Sequence, residues 1–340
     1  MKTLLKSTLA SALALSVGVG LASPVMADEN LKMATIAPGT SAYLTMTTMA
    51  TIINQALDDV NITVDATGAA TRHMVEVAEG NLDMSMTSPT VYKFLREGTV
   101  MYQELENHAE LAQNLSLMFW FPLGQYHVVT YADDNIMSLD EIAGHTVFLG
   151  PPGGGAWAAA RNWVVATTGY EPDVDYENIK ASWSSAFQGF QDRQFDVYVI
   201  SGIAPFPQLE QLSLTSDLRI LGLTEEEYAG NQAAQDFIEV RGEELGIIPV
   251  GIYGEGVVNT QDVYTLGAAV GVTARVGLDE DLVYRMTKAF WEGHANAMNT
   301  HPWLVDLTLE YAVADGQMAL HPGALRYYEE IGLEIPEGSR

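Results

Sequence analysis

Residues 146–155 read Thr146-Val147-Phe148-Leu149-Gly150-Pro151-Pro152-Gly153-Gly154-Gly155. A short run of strand composition is followed by a turn rich in glycine and proline. Residues 156–167 then have helical composition, and Gly169 is expected to end that helix. A strand, a glycine-rich turn and a helix in this order are typical of a βα unit. The sequence therefore predicts an α/β fold with mostly parallel strands.

The same order opens the first half of the chain, with a strand over 31–36, a loop over 37–41 and a helix over 42–57. Because the two openings are alike, we expect each of them to begin its own sheet. A helix is also expected over 281–298, where apolar residues follow one stripe. Further strands are expected at 61–66, 83–87, 115–121, 126–131, 178–182, 195–201, 218–223 and 265–273.

Two such units predict two α/β lobes around a ligand cleft. The chain is expected to cross between them near Tyr131 and to return near Thr265. Lobe I would then comprise residues 28–131 and 266–340, and lobe II residues 132–265.

The amino terminus has the pattern of a targeting segment. Lys2 and Lys6 form a basic region, residues 9–21 are mostly apolar, and the segment ends in Val25-Met26-Ala27. We expect a signal peptide over 1–27 that is cleaved after Ala27, which places the protein in the periplasm. Downstream, the sequence contains no apolar run of about 18 residues, so no membrane-spanning helix is expected.

Composition excludes several classes of function. The 340 residues include no cysteine, which excludes disulfides, thiol chemistry and cysteine-ligated zinc. The formal net charge of −28 opposes binding to nucleic acid or to an anionic membrane. With 48% hydrophobic residues, the chain has enough apolar material for a large core.

Two helix-opening loops are the first candidates for a ligand site. Ligands of parallel α/β sheets bind beyond the carboxyl ends of the strands, where helix N-termini offer unpaired N–H groups and partial positive charge. Bare glycine backbone and hydroxyl side chains suit the capture of an anion there. The candidates in these loops are Gly39, Thr40, Ser41, Gly153, Gly154, Gly155 and Ala156.

Other candidates follow further strands or are aromatic. Arg72 is a possible partner of a carboxylate, although an arginine in this position is also commonly solvated or ion-paired. Trp157 is expected either to line the cleft, favouring a ligand with a flat portion, or to pack as core. Tyr92 and Trp183 are further aromatic residues of this kind. The remaining candidates are Tyr43, Thr71, Ser88, Thr90, Ser201 and Gly202.

Each loop taken alone is equally well an ordinary βα turn. A nucleotide P-loop is excluded because Ala156 and Trp157 stand where lysine and a hydroxyl residue are needed, and the GxGxxG spacing is absent. The sequence has no HExxH motif, and Ser201 is not in a GxSxG turn. We therefore expect no enzyme, no metal site and no cofactor.

The chain resembles the TAXI receptors, the extracytoplasmic solute-binding component of one class of tripartite ATP-independent periplasmic (TRAP) transporters. Two segments carry most of this resemblance, namely Gly150–Gly155 and His321-Pro322-Gly323-Ala324-Leu325-Arg326-Tyr327-Tyr328. Looser matches occur at residues 38–43, 66–69 and 201–205. The His-Pro-Gly segment is interpreted as structural or as docking surface.

The resemblance implies a type II periplasmic-binding-protein fold that closes over glutamate, 2-oxoglutarate or a similar acid. It further implies a partner, the TRAP membrane permease, which is driven by a sodium gradient. This chain departs from the family pattern because Gly154 and Ala156 stand where members often carry serine and threonine. We expect a monomeric receptor for a small organic anion (a dicarboxylate, a 2-oxo acid or an acidic amino acid). A periplasmic enzyme or a sensor-input domain on the same fold remains the alternative.

Overall fold

The protein is described by a computed structural model, which covers residues 29–239, 243–301 and 304–340. The expected signal peptide and its cleavage position after Ala27 lie outside the described residues. Within these ranges, no helix is both long and apolar enough to cross a membrane.

The strands in the described residues form one mixed sheet. They are β1 (Glu29–Ala34), β2 (Val60–Asp65), β3 (Met84–Thr87), β4 (Leu115–Tyr131), β5 (Thr146–Phe148), β6 (Glu177–Asn178), β7 (Val197–Gly202), β8 (Leu218–Leu221), β9 (Glu243–Ile248) and β10 (Val263–Arg275).

The helices cover the sheet and lie between successive strands. They are α1 (Ser41–Ala56), α2 (Ala70–Ala78), α3 (Pro89–Glu97), α4 (His108–Gln113), α5 (Gly155–Thr168), α6 (Trp183–Gln191), α7 (Pro207–Ser213), α8 (Glu225–Gly230), α9 (Gln232–Ile238), α10 (Glu280–Ala297), α11 (Leu309–Ala312) and α12 (Pro322–Glu330). The expected α/β class is confirmed.

The sheet has ten strands in the order β2-β1-β3-β10-β4-β7-β5-β6, with β8 paired to β4 and β9 paired to β10. Pairing is parallel where βα units follow one another, as between β1 and β2 and between β5 and β7. It is antiparallel wherever β4 or β10 takes part. The sheet thus has two halves, one that contains β1–β3 and one that contains β5–β9. Both long strands, β4 and β10, run through the two halves.

The expectation of two separate sheets is wrong, because hydrogen bonding is continuous from β1 to β5. The reason lies in β4, which the sequence suggested was two strands interrupted at residues 122–124. Pro122 is the last residue of β4 opposite β10, and Gln125 is the first opposite β7. The residues between them mark an exchange of partners, so the chain continues in an extended conformation.

Gly124 makes this exchange possible. Its φ is +97°, and a Cβ added there would lie 2.3 Å from the carbonyl carbon of Gly202. Only glycine combines such a φ with such a close approach of two backbones.

A second correction concerns the strand expected over 178–182. Only Glu177–Asn178 pairs with β5, and the following residues lead directly into α6. Ser182 is the N-cap of α6, and its hydroxyl accepts a hydrogen bond from the backbone N–H of Ser185. The local side-chain cap therefore ends the strand early.

The His-Pro-Gly segment begins α12, and its His321 and Gly323 are buried. His321 is 1% exposed, and its Nδ1 accepts a hydrogen bond from the N–H of Gly323 at 3.2 Å. Its own backbone N–H donates to the carbonyl of Leu117 in β4. These contacts join α12 to the sheet.

The core beneath β4 is built from aromatic residues. Phe119 of β4 and Phe290 of α10 are fully buried and stack with ring centroids 4.8 Å apart and an interplanar angle of 6°. Trp291 meets Phe119 edge-on at 6.0 Å. This contact fixes α10 against the long strand.

Replacing Phe119 by alanine is expected to lower the free energy of unfolding by about 3–5 kcal/mol, because it removes buried area and leaves a cavity. Denaturant titration of the two proteins measures the difference. The control Val276→Ala changes a side chain that is 47% exposed and should stay within about 0.5 kcal/mol of wild type. Equal losses in the two variants would contradict this view of the core.

Candidate functional site

The loops that follow β1, β2, β3 and β5 converge on one cavity of about 120 Å³. Its floor comes from the long strands, with Leu123 and Tyr126 of β4 and Ala268–Val270 of β10. Most of the lining is apolar, and hydroxyl groups are distributed around it. The cavity therefore lies where the two halves of the sheet meet.

Several helices begin at this cavity. Thr40 at the start of α1, Ala70 of α2, Ser88 at the start of α3, Gly155 of α5 and Trp183 of α6 all line it. Each of these helices directs the positive end of its dipole toward the cavity. Their convergence makes the local field favourable to an anion.

The helices differ in how their first N–H groups are satisfied. Thr40 caps α1 by accepting from the N–H of Tyr43, and Ser88 caps α3 by accepting from the N–H of Val91, both at 3.2 Å. Among the described residues, no side chain caps α2 or α5. The N–H of Arg72 in α2 donates to the carbonyl of Ala69, so the N–H groups of Ala70 and Thr71, and those of Gly155 and Ala156 in α5, remain available for another acceptor.

The two uncapped helices lie next to each other. Thr71 Oγ1 of α2 donates to the carbonyl oxygen of Gly153, in the loop before α5, at 3.4 Å. A Cβ added at Gly155 would lie 2.6 Å from Val91 Cγ2 of α3. Residues from the two halves of the sheet thus touch beside the cavity.

A second contact between the halves lies at the other helix-opening loop. The backbone N–H of Ile203 donates to Ser41 Oγ at 3.1 Å, and Ser41 is 3% exposed. A Cβ added at Gly39 would lie 2.9 Å from the side-chain nitrogen of Gln208. These contacts bring the loop after β7 against the start of α1.

A buried histidine anchors the loop after β7. His127 Nε2 accepts from the hydroxyl of Tyr253 at 2.7 Å, and that hydroxyl accepts from the N–H of Phe206 at 2.7 Å. His127 Nδ1 lies 3.0 Å from the carbonyl oxygen of Gln125, to which it donates. Burial lowers the pKa of His127 to about 4, so the ring is neutral and can accept.

Glu243, the first residue of β9, is the most unusual group in the lining. It is 9% exposed, and Oε1 accepts from Thr90 Oγ1 at 3.4 Å. Its Oε2 has no hydrogen-bond partner among the described residues. Burial raises the pKa of Glu243 to about 8, against a smaller lowering by the Thr90 hydrogen bond, and the charge of Glu244 raises it further.

Tyr126 is the titratable group from β4 beside this carboxyl. It is 3% exposed, and burial raises the pKa of its hydroxyl, to which the charge of Glu243 contributes. The hydroxyl therefore stays protonated. In the part of the chain that the structure describes, no lysine or arginine lines the cavity, and Glu243 is its single acidic residue.

About half of the residues predicted from the sequence line this cavity. Those residues are Thr40, Thr71, Ser88, Thr90, Gly154, Gly155, Ala156 and Ser201. Gly39, Ser41 and Gly153 lie just outside it, in the contacts described above. Gly202 packs on the ring of Phe206, and Tyr43 is half-buried beyond the N-cap of α1.

Arg72 does not line the cavity. Its side chain is 79% exposed and forms an ion pair with Glu76, one helical turn away, at 2.9 Å. The guanidinium group is thus directed along the outside of α2. Arg72 is therefore an ion-paired surface arginine, which is the alternative that the sequence left open.

Trp157 likewise points elsewhere. It is half-buried against the hydrophobic core, and its Nε1 donates to Asn178 Oδ1 at 3.4 Å. Trp183 is the tryptophan that lines the cavity, held edge-on against Phe148 at 5.5 Å. The aromatic wall therefore comes from α6 and not from α5.

Tyr126, Asn162 and Glu243 line the cavity and were not predicted from the sequence. Glu243 stands in an acidic pair at the start of a strand, a pattern that usually indicates a solvated edge. Its place in the cavity depends on the pairing of β9 with β10, opposite Ala268. Among the described residues, no cluster of histidine, aspartate or glutamate could hold a metal ion.

The pKa of Glu243 predicts a pH-dependent effect on stability. The ordinary pKa is 4.5, so between pH 4.5 and 8 the unfolded chain is ionised while the folded protein keeps the proton. The free energy of unfolding therefore falls by up to about 1.4 kcal/mol per pH unit in this window. Glu243→Gln removes the ionisation and should be more stabilising at pH 8 than at pH 5, by at most about 4 kcal/mol.

Urea titration at both pH values measures this difference. The control Glu244→Gln removes the same charge from the exposed neighbour, which accepts a hydrogen bond from Tyr311. It should show a much smaller change between the two pH values. A gain for Glu243→Gln that is equal at pH 5 and pH 8 would contradict the raised pKa.

Solved structures with a similar fold include periplasmic binding proteins. The aliphatic sulphonate binding protein SsuA from Escherichia coli has 12% identity, with 90% of this chain and 80% of that chain covered and a TM-score of 0.44. A TRAP solute binding protein from Ralstonia eutropha H16 with bound (S)-2-acetolactate has 9% identity, 90% and 86% coverage and a TM-score of 0.44. One from Sulfitobacter sp. NAS-14.1 with bound β-D-galacturonate has 8% identity, 90% and 88% coverage and a TM-score of 0.46.

The strand order β2-β1-β3-β10-β4, in which the late strand β10 lies inside the first half, agrees with the expected type II periplasmic-binding-protein fold. This fold class, common to solute-binding proteins, is therefore confirmed. The model of one protein family, described as NMT1-like, matches residues 33–332. Since that match spans nearly all of the described residues, the chain belongs to the NMT1-like family.

Proposed function

We propose that this protein is an extracytoplasmic solute-binding receptor that captures a small organic anion in the cavity and delivers it to a TRAP-type membrane transporter. The observation that carries the proposal is the pair of uncapped helix N-termini, α2 and α5, which lie side by side at a cavity without a lysine or arginine among its described lining residues. Each end carries roughly half a positive charge and free N–H donors. Together they can hold a carboxylate without a basic side chain.

The size of the cavity limits the ligand. A cavity of about 150 Å³ holds benzene, so about 120 Å³ suits a compact acid with a short carbon skeleton. Apolar residues around the floor would contact that skeleton. The formal net charge of −28 repels anions at long range, but at ~0.15 M salt this repulsion is screened beyond about 8 Å.

The proposed cycle uses two lobes, residues 28–131 with 266–340 and residues 132–265. The contacts from Thr71 to Gly153 and from Ile203 to Ser41 would join the lobes in a closed state. Opening would break them while β4 and β10 remain continuous. The closed monomer would then dock on the permease, which a sodium gradient drives.

Location outside the cytoplasm follows from the expected cleavage after Ala27. A periplasmic enzyme on the same fold is the alternative, and a receptor is distinguished from it by returning its ligand unchanged. A sensor-input role would use the same cavity. A gene for a multi-span permease beside the gene of this protein would favour transport, and its absence would favour sensing.

Thermal-shift screening tests the proposed ligand class. The panel comprises succinate, 2-oxoglutarate and L-glutamate, each at up to 10 mM. A ligand at 100 times its dissociation constant stabilises the folded state by about 2.7 kcal/mol, which gives a clear shift in melting temperature. Binding of neutral sugars or cations in preference to all of these acids would contradict the proposal.

Gly155→Val tests the place of binding. The added Cβ would lie 2.6 Å from Val91 Cγ2, so the start of α5 could not approach α3 as it does in this structure. We expect at least a tenfold loss of affinity for the panel acid that binds wild type. Gly230→Val, at a position where an added Cβ meets nothing within 4 Å, is the control and should keep wild-type affinity. Unchanged affinity in Gly155→Val would exclude this loop.

Tryptophan fluorescence tests the aromatic wall. Because Trp183 lines the cavity and Trp157 packs on the core, ligand titration should change the emission of wild type and of Trp157→Phe. The change should be largely lost in Trp183→Phe. If the change is instead lost in Trp157→Phe and kept in Trp183→Phe, Trp157 and not Trp183 contacts the ligand.

A further inference from the structure

Glu243 lines the cavity and has a buried carboxyl oxygen that the described protein groups do not satisfy. Oε2 is buried and has no hydrogen-bond partner, while Oε1 accepts from Thr90 at 3.4 Å. A buried polar atom without a hydrogen-bond partner destabilises the folded protein. Such an atom in the wall of a binding cavity is a candidate for contact with the ligand.

The surroundings of Glu243 decide which form of the carboxyl meets the ligand. Thr90 of α3 donates to Oε1, so Oε1 serves as the acceptor of the pair. Tyr126 of β4 is a neutral phenol, and Glu244 on the same strand is negative. Among the described residues no cation lines the cavity that could balance an ionised Glu243. Burial and the charge of Glu244 favour the neutral acid, in which Oε2 carries the proton, and they outweigh the Thr90 hydrogen bond, which favours the ionised form.

We propose that Glu243 binds the ligand as a neutral carboxylic acid, with Oε2–H donating a hydrogen bond to an oxygen atom of the organic anion. This inference rests on the proposed function and adds a specificity-determining residue to it. The N-termini of α2 and α5 bind one carboxylate of the ligand. Glu243 donates a hydrogen bond to a second oxygen of the ligand, from a carboxylate, hydroxyl or oxo group. A ligand of this kind meets complementary hydrogen-bond donors at both places.

The proposal makes binding depend on a proton. With a pKa raised to about 8, Glu243 keeps its proton at neutral pH and loses it as the pH rises through 8. The ionised carboxylate can no longer donate, and it repels an anion. Affinity is therefore expected to be highest below pH 8 and to fall above it.

The rival arrangement is an ionised Glu243 paired with a ligand ammonium group. In this arrangement the ionised Glu243 carboxylate accepts from the ammonium group, so a variant without the negative charge of Glu243 would not bind the ligand. Acids without an ammonium group, such as succinate and 2-oxoglutarate, would bind poorly. The two arrangements thus differ in what a glutamine does at this position. A glutamine amide has an acceptor for Thr90 and a donor for the ligand, as the neutral acid has, but it cannot pair as an anion with an ammonium group.

The experiment measures dissociation constants by calorimetry at pH 6.5 and pH 9.5 for succinate and 2-oxoglutarate, whose carboxylates stay ionised over this range. For the acid that binds, wild-type affinity should be about 30-fold weaker at pH 9.5, because only the protonated fraction is competent. Glu243→Leu should weaken binding at least tenfold at pH 6.5. Glu243→Gln should restore most of that loss and remove the dependence on pH.

Glu244→Gln is the matched control, since it removes one charge from the adjacent exposed residue and should leave the pH dependence in place. Affinity that is equal at both pH values, or Glu243→Gln as weak as Glu243→Leu, overturns the inference while the receptor proposal stands. Binding of L-glutamate with no binding of succinate or 2-oxoglutarate also overturns it, in favour of the ammonium arrangement. Absence of binding by every panel acid overturns the proposed function itself.

Discussion

The antiparallel pairing of β4 with β10 is the constraint on which the rest of the structure depends. The two strands run side by side from Leu115 opposite Arg275 to Pro122 opposite Ala269. Beyond that point β4 pairs with β7 and β8, and β10 pairs with β9. Each long strand is therefore a member of both halves of the sheet. The cavity floor lies at this exchange of partners, where side chains of both strands line the cavity.

Around this floor, the groups proposed to bind the ligand come mainly from the backbone. Helices that begin at the cavity direct N–H groups and dipoles toward it, and the glycines around Gly154 leave the backbone accessible. Basic side chains lie on the surface instead, where Arg72, for example, forms an ion pair with Glu76. Salt screens the repulsion from the negative net charge at long range, whereas the helix ends act at short range. A site without basic side chains can thus attract an anion within this very acidic protein.

Local signals explain what could be predicted from the sequence. The glycine-rich turn at Gly150–Gly155 and the hydroxyl residue Thr40 are marks of helix N-termini, which each segment determines largely by itself. No such local signal tells which face of a helix is turned toward the cavity. The sequence therefore could not decide whether Trp157 or Trp183 lines it. Glu243 and Thr90 are 153 positions apart in sequence and meet only through the pairing of β9 with β10. Pro122 and Gly124 have the composition of a turn, and only the tertiary structure reveals an exchange of partners.

The missing caps of α2 and α5 have a consequence for folding as well as for recognition. In most helices an N-cap side chain belongs to the chain and is always present. Here the ligand proposed above would itself be the cap, so the two helices would complete their hydrogen bonding only in the loaded receptor. Local order in the first turns at Ala70 and Gly155 would then rise and fall with occupancy. A membrane partner could distinguish the loaded receptor from the free one by the rigidity of these turns, without any contact with the solute.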